Sequence, residues 1–355
     1  MDHQQLLSDI FFVVLDGGVT MLNLMAAIYL WFRKANAIAP EVTSPVRLRH
    51  WTAAFLLASA FSHVWWLLGV YHPLTKDPMV GYGVLCILDI ITVFPTMMCT
   101  LLSMLQDKRR PLWPFCVALL PSLILFVLYI ARQDHVYLTL LYIFAPLLIV
   151  AFTLFLVFAV RRYGLWLQDN YADLEHKEVR KSLLVLAVFL IFFAMYEGSE
   201  TGPVVSYLLQ LDILVLTVLL LWRVETLQEL IPDAPQEVAS APIPSNIGPL
   251  LEKKCEGAQL YLQHDLSLSQ LAQATGTNHT YLSKYFAQQG LTYNAYINGL
   301  RVRHFMRLYQ AAAGEQRIVT AQQLAFESGF RSYSTFSAAF KQNTGMTVSA
   351  WISQR

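Results

Sequence analysis

The sequence predicts an all-α protein: a seven-transmembrane helix bundle followed by a soluble domain with two helix-turn-helix units. Three observations predict this architecture. Hydrophobic residues make up 56% of the 355-residue chain and charged residues only 14%, whereas a soluble domain has nearer a quarter charged. Seven apolar runs precede residue 223, and the remainder carries one short pattern twice. Much of the chain should therefore meet lipid.

The apolar runs define the first predicted domain, 1–223. They lie at about 6–31, 50–70, 80–105, 112–131, 136–160, 182–197 and 203–222. Most have room for the ~20 residues that a helix needs to cross a bilayer, and the sixth is the shortest. The first is too long for a cleaved signal peptide and lacks a positive cluster before it.

Basic residues in the loops predict the orientation. Loops after the first, third and fifth runs hold twelve Lys and Arg, and the opposite loops hold only Lys76 and Arg132. The twelve are Arg33, Lys34, Arg47, Arg49, Lys108, Arg109, Arg110, Arg161, Arg162, Lys177, Arg180 and Lys181. Because the basic side of a membrane protein faces the cytoplasm, we expect the N-terminus outside and the end of the seventh run inside.

Four polar residues stand out within the runs: Asp16, His63, Asp89 and Asp212. An acid near the bilayer centre costs roughly 2.5–3.5 kcal/mol on insertion scales, so each should face the bundle interior with a partner. Two interpretations stay open. The residues form a signal pocket for a small molecule or a proton, or they hold the bundle together through buried hydrogen bonds. For His63 alone the second is preferred.

Other functional classes lack their signatures. Retinal binding needs a Lys in the last span, and 203–222 has none. No HExxH, GxSxG, nucleotide-binding loop or kinase motif is present, and the four cysteines have no metal or redox spacing. We therefore predict no catalytic residue, no metal site and no cofactor. The stretch 224–246 is acidic and holds four prolines, which predicts a semi-rigid linker.

The repeated pattern is clearest at 318–345, which reads IVTAQQLAFESGFRSYSTFSAAFKQNTG. Thr320 and Ser332 are suited to cap two helices, with Gly329 at the turn between them. Phe336 and Phe340 lie four apart on one face of the second helix. The pattern recurs at 267–290 as SLSQLAQATGTNHTYLSKYFAQQG. Two helix-turn-helix units are typical of a DNA-reading module.

The net charge of this region also favours DNA binding. From Ile247 to Arg355 ten basic residues stand against five acidic ones, a net charge of +5 that suits nucleic acid. We therefore assign 247–355 as a DNA-binding domain. A helix is predicted at 250–261, the first reading helix at 278–288, and a connecting helix at 295–311.

Roughly the last hundred residues resemble the DNA-binding domain of the AraC/XylS family of bacterial transcription regulators. The family signature is met by Gly329, Phe330, Ser332, Ser334, Phe336, Phe340, Lys341 and Gly345. Two positions depart from the family pattern: Val348 stands where Pro is usual, and Phe305 where a small residue is usual. The resemblance implies that one monomer presents both reading helices to successive major grooves of double-stranded DNA.

Side chains at the start of a reading helix reach base edges, while basic residues meet phosphates. In the first unit we expect DNA contacts from Asn278, His279, Thr280 and Lys284. In the second we expect them from Arg331, Ser332, Tyr333, Thr335 and Lys341, the last on phosphate. Leu282, Phe286, Phe330, Phe336 and Phe340 are core residues by their spacing.

Together these features predict a membrane-embedded, sequence-specific transcription regulator, multi-pass in the bacterial cytoplasmic (inner) membrane and not an enzyme. Its expected partners are double-stranded DNA, the lipid bilayer, a small-molecule or proton signal and a second copy in a homodimer. Two alternatives are a transporter or membrane enzyme with a regulatory DNA-binding tail, and a passively anchored constitutive regulator.

Overall fold

A computed structural model describes residues 10–71, 78–106, 111, 113–196, 203–230 and 246–354. Every regular element in these ranges is a helix, so the predicted all-α fold is confirmed. The chain divides into two compact units. Unit 1 comprises Met1–Arg161 and Val179–Leu230, and unit 2 comprises Arg162–Glu178 and Ile231–Arg355.

The first eight helices follow the apolar runs. They are α1 (Ile10–Phe32), α2 (Val46–Tyr71), α3 (Pro78–Ser103), α4 (Trp113–Val117), α5 (Leu120–Arg132), α6 (His135–Asn170), α7 (Arg180–Tyr196) and α8 (Pro203–Thr226). Within the described ranges, six segments are long and apolar enough to cross a membrane: Ile10–Phe32, Val46–Gly69, Val80–Ser103, Trp113–Arg132, His135–Asn170 and Val204–Thr226.

Two of the predicted runs differ in extent from the helices observed, and a third forms a helix that is short for a membrane span. The fourth run is divided into α4 and α5, because Pro121 in the first turn of α5 cannot donate a backbone hydrogen bond. The fifth continues as α6 to Asn170. The sixth coincides with α7, whose 17 residues fall short of the ~20 that span a bilayer upright. Residues 6–9 of the first run and residue 197 of the sixth lie outside the described ranges.

Unit 1 is a helix bundle joined at its centre by hydrogen bonds. Helix α2 packs against α1 and α3, and α8 packs against α1, α2 and α7. The fully buried Asn23 of α1 donates to Ser59 Oγ of α2 at 3.2 Å and accepts from Thr217 Oγ1 of α8 at 2.6 Å. The outer faces are apolar, with Phe11 and Phe158 among the exposed side chains.

The end of α8 is held by a buried carboxylate. Glu225 Oε2 accepts hydrogen bonds from the backbone nitrogens of Ala37 and Ile38, both at 2.8 Å, and Oε1 accepts one from the Tyr29 hydroxyl. Asn36 Nδ2 donates to the Glu225 carbonyl at 2.9 Å. The first residues of the predicted linker 224–246 thus pack within unit 1, and residues 231–245 lie outside the described ranges.

Unit 2 is built from short helices around one long one. Its helices are α9 (Ile247–Leu251), a π-helical turn (Glu252–Glu256), a 3₁₀ turn (Leu260–Leu262), α10 (Leu268–Thr275), α11 (His279–Gln288), α12 (Tyr293–Gly314), α13 (Ala321–Glu327), α14 (Tyr333–Thr344) and α15 (Val348–Ser353). The single helix expected at 250–261 is confirmed only as far as Glu256, where the π-helical turn that continues α9 ends. The 3₁₀ turn that follows is separate, and Gln259 before it has a left-handed backbone with φ of 55°.

Helix α12 joins two hydrophobic cores. Its Ile297 and Leu300 belong to the first core, with Leu271, Ala272, Leu282 and Phe286. Its Phe305 belongs to the second, where the ring lies 4.4 Å from that of Phe336, centroid to centroid. The large residue at 305 thus fills the second core. At the other departure from the family pattern, Thr347 caps α15 and Val348 is its first residue.

Candidate nucleic-acid interface

Two helix-turn-helix units are present, formed by α10 with α11 and by α13 with α14. Each turn contains a glycine with a left-handed backbone, Gly276 with φ of 72° and Gly329 with φ of 87°. A Cβ atom at Gly329 would lie 2.7 Å from Leu262 Cα. Both backbone conformation and close packing therefore require glycine at the second turn.

Polar side chains begin the helices as predicted. Thr320 Oγ1 accepts from the Gln323 nitrogen at 3.1 Å, and Ser332 Oγ accepts from the Thr335 nitrogen at 3.3 Å. Ser267 forms a reciprocal capping box with Gln270, at 3.2 Å and 2.8 Å. These caps satisfy backbone N–H groups that have no partner within their own helix.

The predicted core residues are confirmed. Leu282, Phe330, Phe336 and Phe340 are completely buried, and Phe286 nearly so. Phe336 and Phe340 contact each other with ring centroids 5.6 Å apart. Because these rings fix α14 against α13 and α12, the opposite face of α14 remains for recognition.

In the first unit, the predicted DNA-contacting residues lie along the start of α11. Asn278 caps this helix, with Oδ1 accepting from the Thr280 nitrogen at 2.7 Å. A bidentate contact with adenine would require the same oxygen. His279 Nε2 lies 2.8 Å from Asn170 Oδ1. Thr280 is half-buried and Lys284 is exposed one helical turn further on.

In the second unit the predicted residues surround the start of α14. Ser332 is the cap and also contacts Thr335 Oγ1 at 3.0 Å. Arg331 Nη1 forms an ion pair with Asp265 Oδ2 at 3.3 Å, and Thr335 Oγ1 lies 3.5 Å from Glu175 Oε2. Tyr333 and Lys341 are exposed. The structure therefore places every predicted residue at or beside its reading helix, on partly or fully accessible surface.

Arg301 was counted with the basic residues of the domain, but it is completely buried. Its Nε donates to the Tyr261 carbonyl at 2.7 Å, and its Nη2 donates to the carbonyls of Gln263 at 2.6 Å and His264 at 3.2 Å. Burial lowers the pKa of this guanidinium to about 10. The sequence held one signal of this role, since Arg301 lies four residues from both Ile297 and Phe305 on the buried face of α12.

Sequence reasoning also missed Asp265. This carboxylate lies in the loop before α10, between Lys177 Nζ at 3.2 Å and Arg331 Nη1 at 3.3 Å. These two neighbours come from distant parts of the chain, 88 and 66 residues away. No local pattern distinguishes it from a solvated loop acid, so only the fold reveals its position beside a reading helix.

The polar residues predicted to form a signal pocket in unit 1 fall into separate groups. Asp16 Oδ1 accepts from Gln210 Nε2 at 2.8 Å and lies 2.8 Å from His63 Nδ1, which joins α1, α2 and α8. Asp89 contacts Ser62 Oγ at 2.7 Å and Trp66 Nε1 at 2.6 Å.

Two buried oxygens in α8 are unsatisfied. Asp212 Oδ2 and Gln210 Oε1 have no hydrogen-bond partner among the described residues. Among the described residues there is also no group of three or more His, Cys, Asp or Glu side chains that could hold a metal ion.

Comparison with known proteins identifies the C-terminal region. Residues 271–354 match the model of a helix-turn-helix domain family. Uncharacterised HTH-type transcriptional regulators of Staphylococcus aureus are similar over 102 residues, at 30% identity in strain MRSA252 and 29% in strain COL. The similar region is 28% of this chain and 13% of each relative. No solved structure matches.

These findings and the geometry agree. Residues 271–354 form a helix-turn-helix domain of the AraC type, similar to the corresponding region of HTH-type transcriptional regulators. The domain is preceded by a helical region with six apolar helices that could cross a membrane. Because the chain spans only a small part of the relatives' length, their resemblance concerns this domain alone.

Proposed function

We propose that this protein is a membrane-embedded, sequence-specific transcription regulator whose unit 1 receives a signal and whose unit 2 binds operator DNA. One observation carries the proposal: a single chain contains both a helix-turn-helix domain of the AraC type and six helices suited to a bilayer. The expected location is the bacterial cytoplasmic membrane.

Exposed apolar side chains support embedding in lipid. Leu154 and Phe158 are each 66% exposed on α6, and Phe11 is 78% exposed on α1. A soluble surface would not carry such contiguous apolar faces. With α7 as a short sixth span, seven spans put the N-terminus outside and unit 2 in the cytoplasm, in agreement with the distribution of Lys and Arg.

The position of the predicted residues around the start of each reading helix supports DNA binding. We assign base recognition to His279 and Thr280 in α11 and to Arg331, Tyr333 and Thr335 around α14. Lys284 and Lys341 are exposed and suited to phosphate contacts. Asn278 and Ser332 act as caps that orient the first turns, and any base contact they make adds to that role. Two copies of unit 2 in a homodimer would raise the local concentration of readers.

The cluster of Asp16, His63 and Gln210 is the best candidate for signal reception. It joins three helices, and Gln210 lies on α8, which leads towards the DNA-binding unit. A proton or a small polar molecule that competes for these hydrogen bonds would change how α1, α2 and α8 pack. Asp89 and Asp212 are assigned to the same sensing region.

The first experiment tests location and DNA binding together. Full-length protein, extracted from membranes with detergent, is incubated with fragmented genomic DNA of the producing bacterium, and bound fragments are sequenced. We expect enrichment of discrete sites over random competitor. Fusions of a periplasmic and a cytoplasmic reporter enzyme to residue 355 establish the side of the membrane. A C-terminus outside the cytoplasm, or no enriched site, would refute the proposal.

The second experiment tests sensing. Asp16→Asn and His63→Gln are compared with Thr92→Val, a change at a half-buried residue whose hydroxyl donates to the Leu88 carbonyl of its own helix. Expression from a bound promoter is measured at matched protein levels. We expect the first two variants to alter the response and Thr92→Val to leave it unchanged. Identical behaviour of all three would instead support a passively anchored regulator.

A further inference from the structure

Unit 2 contains a segment from elsewhere in the chain. Residues 162–178, which we call the clamp, lie in sequence between the apolar parts of α6 and α7 but belong to the DNA-binding unit. The clamp consists of the end of α6 and most of the short loop that joins it to α7, which begins at Arg180.

The clamp is anchored in the first core of unit 2. Ala172 is completely buried there beside residues of α10 and α12. Its nitrogen donates to the Leu266 carbonyl at 3.2 Å, and its carbonyl accepts from Asn294 Nδ2 at 2.7 Å. Lys177, itself buried, forms an ion pair with Asp265 at 3.2 Å. These contacts make the clamp a docked element with a defined register.

From this anchor the clamp reaches both reading helices. Asn170 contacts His279, the first residue of α11, at 2.8 Å. Glu175 contacts Thr335, in the first turn of α14, at 3.5 Å. The first turn of a reading helix is the part that enters the major groove. A base edge or phosphate could not occupy the same space as the clamp at these two points.

The clamp and the DNA-binding region carry net charges of opposite sign. The clamp has four acids, Asp169, Asp173, Glu175 and Glu178, against Arg162 and Lys177. The region from Ile247 to Arg355 has ten basic residues against five acidic ones. The clamp is therefore net acidic and the DNA-binding region net basic, which gives a general attraction between them, although the ion pair that joins them, Lys177 with Asp265, has the opposite polarity.

One feature of the docked clamp favours release over permanent attachment. Asp173 is 3% exposed, and its Oδ2 has no hydrogen-bond partner among the described residues. Leaving such an atom buried without a partner is unfavourable, because it gives up its hydrogen bonds to water and gains none within the protein. The docked arrangement therefore contains an unfavourable contribution that undocking removes.

We propose that the clamp is an autoinhibitory element: it covers the first turns of α11 and α14, and operator DNA binds only after it is displaced. This inference rests on the proposed DNA-binding function. Because the clamp continues directly into α6 and α7, a change in these helices would reach the DNA-binding surface through the chain itself. The clamp thus gives unit 1 a route to control DNA binding that does not use the linker 231–245.

The test compares two double variants of the full-length protein in detergent. Asn170→Ala with Glu175→Ala removes both contacts to the reading helices. Gln168→Ala with Asp169→Ala is the matched control, an amide and an acid on the exposed side of the same segment. Each protein, with the wild type, selects from a random-sequence duplex DNA library, and dissociation constants are measured for the duplexes most enriched by any of them.

We expect the first variant to bind the selected duplexes at least about fivefold more tightly than wild type and control, the lower end of typical coupling between sites. Faster hydrogen–deuterium exchange within 162–178, with unchanged exchange in α12, would show release of the clamp in a folded unit. Affinity equal to or below that of the wild type would contradict autoinhibition by the clamp, but it would leave the proposed DNA-binding function standing. If no protein enriches any duplex, the proposed function fails and the clamp with it.

Discussion

The Asn170 carboxamide and the His279 imidazole lie 109 positions apart in the sequence, yet Oδ1 and Nε2 are 2.8 Å apart. One residue ends a long apolar helix, and the other begins a predicted DNA-reading helix. The reading surface of unit 2 therefore includes neighbours that a conventional helix-turn-helix domain, defined by residues 271–354, does not contain.

Replacing Arg301 should destabilise unit 2 strongly. Arg301→Met leaves the carbonyls of Tyr261, Gln263 and His264 buried without their donor, so we expect a loss of about 2–5 kcal/mol. Hydrogen–deuterium exchange of the full-length protein should show faster exchange across α10 to α14. Arg303→Met, the same change on the exposed side of α12, is the control. Equal protection in both variants would contradict the structural role of Arg301.

Gly329 should not tolerate a side chain. Gly329→Ala adds a Cβ at 2.7 Å from Leu262 Cα in a left-handed backbone, so we expect a folding defect of about 1–3 kcal/mol and weaker DNA binding. Gly314→Ala is the matched control, because nothing lies within 4 Å of its added Cβ. Thermal unfolding and DNA affinity of the two variants would be compared. Tolerance of alanine at 329 would show that the second turn differs from the one described.

Substitutions of Asn278 should distinguish its role as a helix cap from a role in base recognition. Ser is as good a helix cap as Asn but cannot make the bidentate adenine contact, so Asn278→Ser should keep the stability of unit 2 within about 0.5 kcal/mol. Asn278→Ala should lose about 1 kcal/mol, the typical value of a cap. Sequence selection by each variant reports on recognition. An altered preferred site for Asn278→Ser would show that Asn278 also reads a base.

The stability of unit 2 should depend on pH because of the buried carboxyl of Asp173. Burial, as the main cause, holds the pKa of its carboxyl above the usual range, although the Glu175 nitrogen and Lys177 partly oppose the shift. The folded-state pKa is therefore raised, so the ionised carboxylate weakens the folded unit at neutral pH, and this effect is lost as the pH falls through that pKa towards the lower value of the unfolded chain. Asp173→Asn keeps an acceptor for the Glu175 nitrogen and removes the charge.

We therefore expect Asp173→Asn to melt at a higher temperature than the wild type at pH 7, with a difference that narrows on acidification. If the clamp competes with DNA, this variant should also bind operator DNA more weakly, the opposite of Asn170→Ala with Glu175→Ala. Asp169→Asn is the control for charge alone. A difference in melting temperature that stays constant or widens as the pH falls would contradict the assignment.

Much of unit 2 was predictable because its signals are local. Thr320 and Ser332 cap helices through bonds to residues three positions away, and Phe336 and Phe340 share a face because they are four apart. Gly329 marks a turn because few other residues adopt its backbone conformation. The helical spacing of apolar residues likewise predicted core residues of both helix-turn-helix units, such as Leu282 in the first and Phe336 in the second.

Other features had no local signal. Glu225 was assigned by composition to an acidic linker, but it is buried by backbone donors from residues 37 and 38. The sequence predicts only a loop between two apolar runs for the clamp, because nothing in 162–178 indicates a partner around residue 279 or 335. Such contacts depend on where distant segments meet, and a single sequence does not encode that distance in any short-range pattern.

From the sequence alone came the all-α class, the order of an apolar helical region before two helix-turn-helix units, and the residues that begin each reading helix. Hydrophobic periodicity, helix capping and the preferences of turn residues involve positions only a few residues apart, so they can be recognised in the sequence. Only the tertiary structure decided that Arg301 is an internal hydrogen-bond donor and that Asn170 and Glu175 reach His279 and Thr335. Those roles arise from packing between segments that lie 37 to 160 residues apart, where burial and long-range contacts outweigh any local preference.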